Sequence, residues 1–382
     1  MRSQYAEPMS SDLTIPAELL PRDGRFGSGP SKVRDAQVQA VVDAQPHILG
    51  TSHRQMPVRS LVGDVRRMVA ELYSLPDGYE VILGNGGSTS FWDAAAFSLV
   101  ESKAQHCTFG EFGSKFAQVT ASAPHLEESE VREASAGSVA LPEARDGVDV
   151  YAWPHNETST GAMAPVRRPQ GIQEALTVVD GTSAAGGLFL DPRETDVYYF
   201  APQKSFGADG GIWFALVSHA AIDRIARVTS SGRYIPATLN LQTAVDNSRK
   251  DQTYNTPALA PLVMMRAQLE WMLDGGGMDF VTSRTDESSR RIYEWAAQSP
   301  RVQAFVTETE YRSRVVATID VDESIDASAI TSALRAQGVV DIDPYRKLGR
   351  NQIRVGLFPA VDPDDVTALT RSIDYVMENL AT

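Results

Sequence analysis

Tyr198-Tyr199-Phe200-Ala201-Pro202-Gln203-Lys204-Ser205-Phe206-Gly207 decides the fold, read together with Val178-Val179-Asp180. The first stretch is a short apolar run, rich in aromatics, that stops at a proline. It delivers Lys204 into a loop followed by Gly207, Gly210 and Gly211. The second is an apolar run that ends on a carboxylate. Runs of this length, bounded by turn residues, read as buried strands of an α/β sheet. Sheets of that class place their ligands beyond the carboxyl ends of the strands. Taken alone, the two residues describe no more than a solvated amine and a capping carboxylate.

The neighbouring strands change that reading. Glu80-Val81-Ile82-Leu83 runs into Gly84-Asn85-Gly86-Gly87-Ser88-Thr89-Ser90, with a helix expected from about Phe91 through Leu99. Gln105-His106-Cys107-Thr108 is followed by Phe109-Gly110-Glu111-Phe112-Gly113, where an aromatic between glycines can fill core or stack on a planar ring. Val148–Ala152 leads to Pro154-His155-Asn156-Glu157-Thr158-Ser159-Thr160-Gly161. Gly211–Val217 is one more strand, close enough behind Phe200 to pair antiparallel with that run. Four or five strands thus end in polar clusters, and random surface loops do not converge in this way.

A lysine and an aspartate at such strand ends suit pyridoxal 5'-phosphate (PLP). The lysine forms a Schiff base, and the aspartate keeps the pyridine nitrogen protonated so that the ring acts as an electron sink. The turn at Gly84–Ser90 is a phosphate cradle, in which free backbone amides and the positive end of a helix meet an anion. It lacks the lysine of a Walker motif and the glycine spacing of a dinucleotide site. A phosphate-binding module that uses this turn alone is the non-enzymatic alternative.

Composition bounds the partners. The chain of 382 residues, 42% hydrophobic and 22% charged, is globular and long enough for two domains. A net charge of −14 argues against nucleic acid or an anionic membrane, so any anion site must be built locally from arginines and backbone amides. One cysteine, Cys107, excludes an internal disulfide and a multi-cysteine zinc site, and no metal is expected. Without an apolar signal core or a membrane-length window, a cytoplasmic protein is expected.

Residues 1–25 read as a loosely held arm, 26–277 as a large cofactor-binding domain and 278–382 as a smaller α/β domain. Helices are expected through Val33, Val38, Val41 and Val42, and through Val58, Leu61, Val65, Val69 and Leu72. Before the second of these stand His53 and Arg54, a pair able to hold an anion by charge-assisted hydrogen bonds. Residues 125–147 are acidic and irregular. A long helix through Leu262, Met265, Leu269 and Met272 ends at Gly275-Gly276-Gly277. The closing helix opens Asp362-Pro363-Asp364-Asp365, a cap, a first-turn proline and two acids matched to the helix dipole.

Ser28-Gly29-Pro30, Ser52-His53-Arg54, Gly86-Gly87-Ser88, Asn156-Glu157-Thr158, Val179-Asp180, Gln203-Lys204 and Asn255-Thr256-Pro257 occur together in this order. In that respect the chain resembles the phosphoserine aminotransferase family, in the class V group of fold-type-I PLP enzymes, from Phe26 to the C-terminus. The resemblance implies a mostly parallel seven-stranded sheet in the large domain. It implies that Lys204 binds PLP covalently and moves the proton, and that Asp180 partners the ring nitrogen. Phe112, replacing a tryptophan common in the family, would stack on the ring, and Thr158 would bond the ring hydroxyl. The cofactor phosphate would sit on Gly87, Ser88, Thr89 and Gln203, with Asn255 and Thr256 from the other subunit of a homodimer. An arginine that many relatives carry near Ser88 is missing.

Arg354 matches the clamp for the substrate α-carboxylate. His53 and Arg54 match the site for the distal anion, with Arg346 as a helper in a loop, Tyr345–Gln352, that departs from the common bacterial form. The implied reaction is ping-pong transamination between glutamate/2-oxoglutarate and O-phosphoserine/3-phosphohydroxypyruvate, the aminating step of serine synthesis. A substrate from vitamin B6 (pyridoxine) synthesis is left open. An alanine–glyoxylate or serine–pyruvate aminotransferase would share Lys204 and Asp180 without needing His53 and Arg54. A cysteine desulfurase is poorly matched, because Cys107 reads as a strand residue.

Overall fold

The computed structural model describes residues 13–172 and 174–380. Its strands are β1 (Glu80–Asn85), β2 (Ala104–Thr108), β3 (Glu130–Glu133), β4 (Val150–Pro154), β5 (Asn156–Glu157), β6 (Ala162–Met163), β7 (Leu176–Asp180), β8 (Val197–Phe200), β9 (Ile212–Val217), β10 (Val302–Ala304), β11 (Val316–Val321) and β12 (Gln352–Gly356). The helices are α1 (Asp35–Ala44), α2 (Met56–Leu72), α3 (Ser88–Ser98), α4 (Glu111–Ser122), α5 (His219–Ser230), α6 (Leu241–Ser248), α7 (Leu259–Asp274), α8 (Met278–Gln298), α9 (Ala327–Ala336) and α10 (Pro363–Leu380).

Seven strands form one sheet in the order β1-β9-β8-β7-β4-β2-β3. β9 runs antiparallel to β1 and β8, and the remaining pairs are parallel, so β1, β8, β7, β4 and β2 bring their carboxyl ends to one edge. The antiparallel return of Gly211–Val217 is as expected. Alternation along the strands sends side chains to opposite faces. Tyr198, Phe200, Val179 and Leu83 pack with α2 and α7 on one side, whereas Tyr199, Val178 and Ile82 pack with α3, α5 and α6 on the other. Burial on both faces explains why these strands read as continuous apolar runs. The irregular stretch at 125–147 does contain a strand, β3. It lies at the sheet edge with only half its side chains covered, too short and too charged to show as an apolar run.

A second sheet, β10-β11-β12, is antiparallel and packs against α8, α9 and α10. Ile15 and Phe26 are buried in this core, with Leu13, Leu19 and Leu20 against it. The described part of the N-terminal segment is therefore packed, not loosely held, and the Arg22 amide donates to buried Asp365 at 2.9 Å. Residues 1–12 of the expected arm lie outside the described residues. The same segment then crosses to the large sheet, since the Phe26 carbonyl accepts from the Gly356 amide and the Gln203 carbonyl from the Ser31 amide.

Two expected helices differ in detail. α3 begins at Ser88, not near Phe91, so Ser88 and Thr89 belong to its first turn. α1 forms, but Val38 and Val42 point outward, 53% and 59% exposed, while Gln37 and Ala44 are its buried residues.

Candidate active site

The carboxyl ends of β7, β8, β4 and β1 supply the site, closed on one side by Ser28–Ser31 and on another by β12. Lys204 follows β8 and is buried, its Nζ donating to the Ser28 carbonyl at 2.7 Å. The Ser31 hydroxyl donates to the Lys204 carbonyl, which ties this wall to the lysine's backbone as well. Gly29 has no alternative here. A Cβ on it would lie 1.9 Å from Lys204 Nζ, and its φ of +131° disfavours a side chain. Burial, with Arg354 nearby, lowers the Lys204 pKa from its ordinary 10.5 to about 8, against the opposing pull of Asp180 and Glu157. A lysine so placed carries a far larger neutral fraction near neutral pH than a free lysine, and it is half in its basic form at about pH 8.

Asp180 ends β7, opposite Pro154 of β4 and Tyr199 of β8. Its Oδ1 accepts from the Thr182 amide at 2.8 Å and from the Thr182 hydroxyl, which also meets Ser88 Oγ at 2.7 Å. Behind it, Trp92 Nε1 donates to the Tyr199 hydroxyl at 2.8 Å. Burial pushes the Asp180 carboxyl up, opposed by the Thr182 bonds. A buried carboxylate raised in this way suits a cationic partner, and no ion pair among the described residues provides one.

Glu157 is fully buried, and its carboxylate accepts four hydrogen bonds. Oε2 takes the Phe112 and Gly113 amides at 3.0 Å each, while Oε1 takes the Ser159 amide and hydroxyl at 3.1 and 2.6 Å. It thus satisfies free amides at the N-terminus of α4, where the helix dipole favours a negative charge. Burial raises its pKa and these bonds oppose the rise. Gly110 leaves the room, for a Cβ there would stand 2.4 Å from Glu157 Cγ. His155, also at the end of β4, meets the Tyr198 hydroxyl at 3.1 Å, and burial lowers its pKa to about 4, so it is neutral.

Arg354 rises from β12, donating through Nη1 to the Thr158 carbonyl at 3.2 Å. Its guanidinium lies 5.2 Å from the centre of the Tyr345 ring. It forms no ion pair with a carboxylate among the described residues.

Of the expected residues, Asp180 and Ser88 share the Thr182 hydroxyl, Arg354 meets the Thr158 carbonyl, and the Phe112 amide meets Glu157 beside Thr158, while Gln203 and Lys204 follow β8 and Gly87 and Thr89 flank Ser88. His53, Arg54, Asn255 and Thr256 are held by a second set of contacts. His53 Nδ1 meets the Thr256 hydroxyl at 3.2 Å, Arg54 donates to Gln252 at 3.1 Å, and Asn85 of β1 donates to the Thr256 carbonyl at 2.8 Å. Arg346 is exposed and makes no hydrogen bond or ion pair among the described residues. Sequence reasoning missed Ser28, Thr182, Glu157 and Tyr345 as members of the site. Glu157 and Ser28 stand inside quoted motifs, and a lone carboxylate between apolar strand ends was the available signal.

Several buried polar atoms here lack a hydrogen-bond partner among the described residues: Ser28 Oγ, Asn156 Oδ1, Gln203 Oε1, Arg354 Nε and, in the second set, His53 Nε2. Native proteins leave few such atoms, and a concentration of them at one place marks ground that a ligand completes. With a reactive amine, a carboxylate awaiting a cation and the open first turn of α3, the residues fit PLP.

The model of the class V aminotransferases matches residues 26–342. The chain belongs to the class V aminotransferase family. Among curated relatives, the chain is 56% identical over 374 residues to the phosphoserine aminotransferase of a Nocardioides species, covering 97% of this chain and 100% of that one. Among solved structures, it superposes on a phosphoserine aminotransferase from Cytophaga hutchinsonii with a TM-score of 0.84, at 21% identity, covering 92% of this chain and 99% of that one. A PLP-bound phosphoserine aminotransferase from Trichomonas vaginalis gives 0.77 at 17% identity, covering 92% and 100%. At these identities the superpositions speak for the class V fold alone.

Proposed function

We propose that the protein is a PLP-dependent phosphoserine transaminase, exchanging the amino group between O-phosphoserine/3-phosphohydroxypyruvate and glutamate/2-oxoglutarate in the aminating step of serine synthesis. One observation carries this reading. A buried amine, Lys204, sits at the sheet's carboxyl edge with Asp180, in a chain 56% identical over 97% of its length to a phosphoserine aminotransferase. When bound, the cofactor supplies an electron sink for bonds at the substrate's α-carbon. Lys204 holds it and moves the proton at Nζ, a task for which a pKa near 8 is suited. Asp180, fixed by Thr182, would hold the proton of the ring nitrogen. Phe112 offers a ring face, and Thr158 a hydroxyl. Ser88, Thr89, Gly87 and Gln203 offer donors for the phosphate.

Arg354, unpaired by any carboxylate among the described residues, would take the α-carboxylate, and its orphaned Nε supports a bidentate contact. His53 and Arg54 would take the distal anion. Since His53 bonds Thr256, this pair and the 255–256 loop serve the same site. In a two-fold homodimer in which that loop reaches the partner's cofactor phosphate, His53 and Arg54 go with it. Val38, Val42 and Met56, exposed on α1 and at the start of α2, are apolar surface that such a dimer would cover. We take residues 26–277 and 278–382 as its two domains and place it in the cytoplasm. No helix of the described residues is long and apolar enough to cross a membrane.

The test is a half-reaction panel. PLP-loaded protein mixed with phosphoserine should lose its visible absorbance and release 3-phosphohydroxypyruvate, whereas alanine and serine should react far more slowly. Equal or faster reaction with alanine would move the protein to the alanine–glyoxylate or serine–pyruvate type.

A further inference from the structure

The loop between α9 and β12 was expected to act only through Arg346, which is exposed. It places one side chain, Tyr345, between two groups of the site. The Tyr345 ring lies 5.2 Å from the Arg354 guanidinium on one side and 6.2 Å, at 55°, from the Phe112 ring on the other. Two residues on, Lys347 forms an ion pair with Glu111, the first residue of α4, and Glu111 also meets Lys115 at 3.2 Å. Lys115 in turn lies 5.5 Å over the Phe112 ring. The loop is thus strapped onto the helix end that Glu157 anchors from below.

Arg354 needs such support. Its only protein hydrogen bond among the described residues is the 3.2 Å contact of Nη1 with the Thr158 carbonyl, and its Nε has no partner. A guanidinium held by one bond keeps considerable rotamer freedom, which a ligand must then freeze. A flat aromatic face limits that freedom without using any N–H donor, so the fork stays open for a carboxylate. The Tyr345 hydroxyl makes no hydrogen bond among the described residues, so the ring is what acts on the arginine.

We propose that Tyr345 is a positioning residue for the α-carboxylate clamp, holding Arg354 oriented for every amino acid and oxo acid that the enzyme binds. It is held there by the Lys347–Glu111 strap. The proposal rests on the transaminase reading above and assigns the loop to the carboxylate common to all substrates. The distal anion, for which Arg346 was the expected contributor, does not depend on Tyr345.

Tyr345→Ala and Tyr345→Phe, both PLP-loaded, test this. Calorimetric titration with 2-oxoglutarate, which carries the α-carboxylate but no amino group to transfer, reads binding without turnover. Tyr345→Ala should bind it about tenfold more weakly, the loss expected for one cation–π contact and the ordering it provides. KM for phosphoserine and for glutamate should rise by the same factor, with kcat within about threefold of wild type. Tyr345→Phe should match wild type in every measurement. Unchanged 2-oxoglutarate affinity in Tyr345→Ala overturns the proposal. So does a KM rise confined to phosphoserine, which would place Tyr345 at the distal anion, or a Tyr345→Phe as impaired as the alanine variant. If wild type fails to react with phosphoserine yet 2-oxoglutarate binding still depends on the Tyr345 ring, the substrate reading falls and the positioning role stands.

Discussion

Lys204 is buried with a pKa of about 8 against an ordinary 10.5, and this displacement has a thermodynamic consequence. Between those two values the unfolded chain holds a proton that the folded, cofactor-free protein has released. Stability therefore rises with pH through that window, and below it the burial penalty is present in full. The whole effect is on the order of 3 kcal/mol. Urea unfolding of the cofactor-free protein at pH 7.5 and pH 10 should show most of this gain as the difference between wild type and Lys204→Met, which lacks the lysine's share of the slope. An identical pH response in both proteins would mean that the lysine is not buried as described. Thr182 offers a second check at this scale. Thr182→Val removes the hydroxyl that Asp180 and Ser88 share, a bond to a charged group, so PLP should bind about tenfold more weakly with little change in fold. Unaltered PLP affinity would separate Thr182 from the site. Lys204 and Asp180 were legible in the sequence because each ends an apolar run. Thr182 was not, for a threonine two residues beyond a strand has no pattern of its own, and its link to Ser88, 94 positions away, forms only in the folded chain.

At the scale of elements, the central strands and the long helices followed from periodicity, since burial on both faces leaves unbroken apolar runs and burial on one face leaves a stripe. Periodicity failed at edges. β3 is half-covered and charged, and α1 turns Val38 and Val42 outward although its spacing resembles a core face. The N-terminus of α4 depends on Glu157, a residue in another element, and only the folded chain brings them together. Glu157→Ala would leave the Phe112 and Gly113 amides buried without an acceptor, at a cost of about 2–4 kcal/mol in stability. Hydrogen exchange at those two amides should accelerate well before the rest of the sheet opens. Exchange as slow as in wild type would show that α4 is capped by something else.

For the whole molecule, the exposed apolar side chains Val38 and Val42 on α1 and Met56 at the start of α2, and the contact of His53 with Thr256, both fit a two-fold dimer with composite sites. Sedimentation equilibrium should give twice the 41.5 kDa chain mass, and an active monomer would refute the composite site. The pair proposed for the distal anion was legible from its residue types as able to hold an anion, and as a substrate site only through the order of motifs. A histidine and an arginine before a helix have no signature of their own, and even the folded single chain leaves Arg54 bonded to Gln252 at an exposed position. The central claim is that this pair selects a substrate with a second anion. Its most direct test is the ratio of half-reaction rates with phosphoserine and alanine, measured for wild type and Arg54→Ala. The account predicts that the substitution lowers kcat/KM for phosphoserine by about 2–4 kcal/mol, roughly 30- to 1,000-fold, while the slow reaction of alanine is unchanged. An equal loss for both substrates would make Arg54 a structural residue and contradict the phosphoserine assignment.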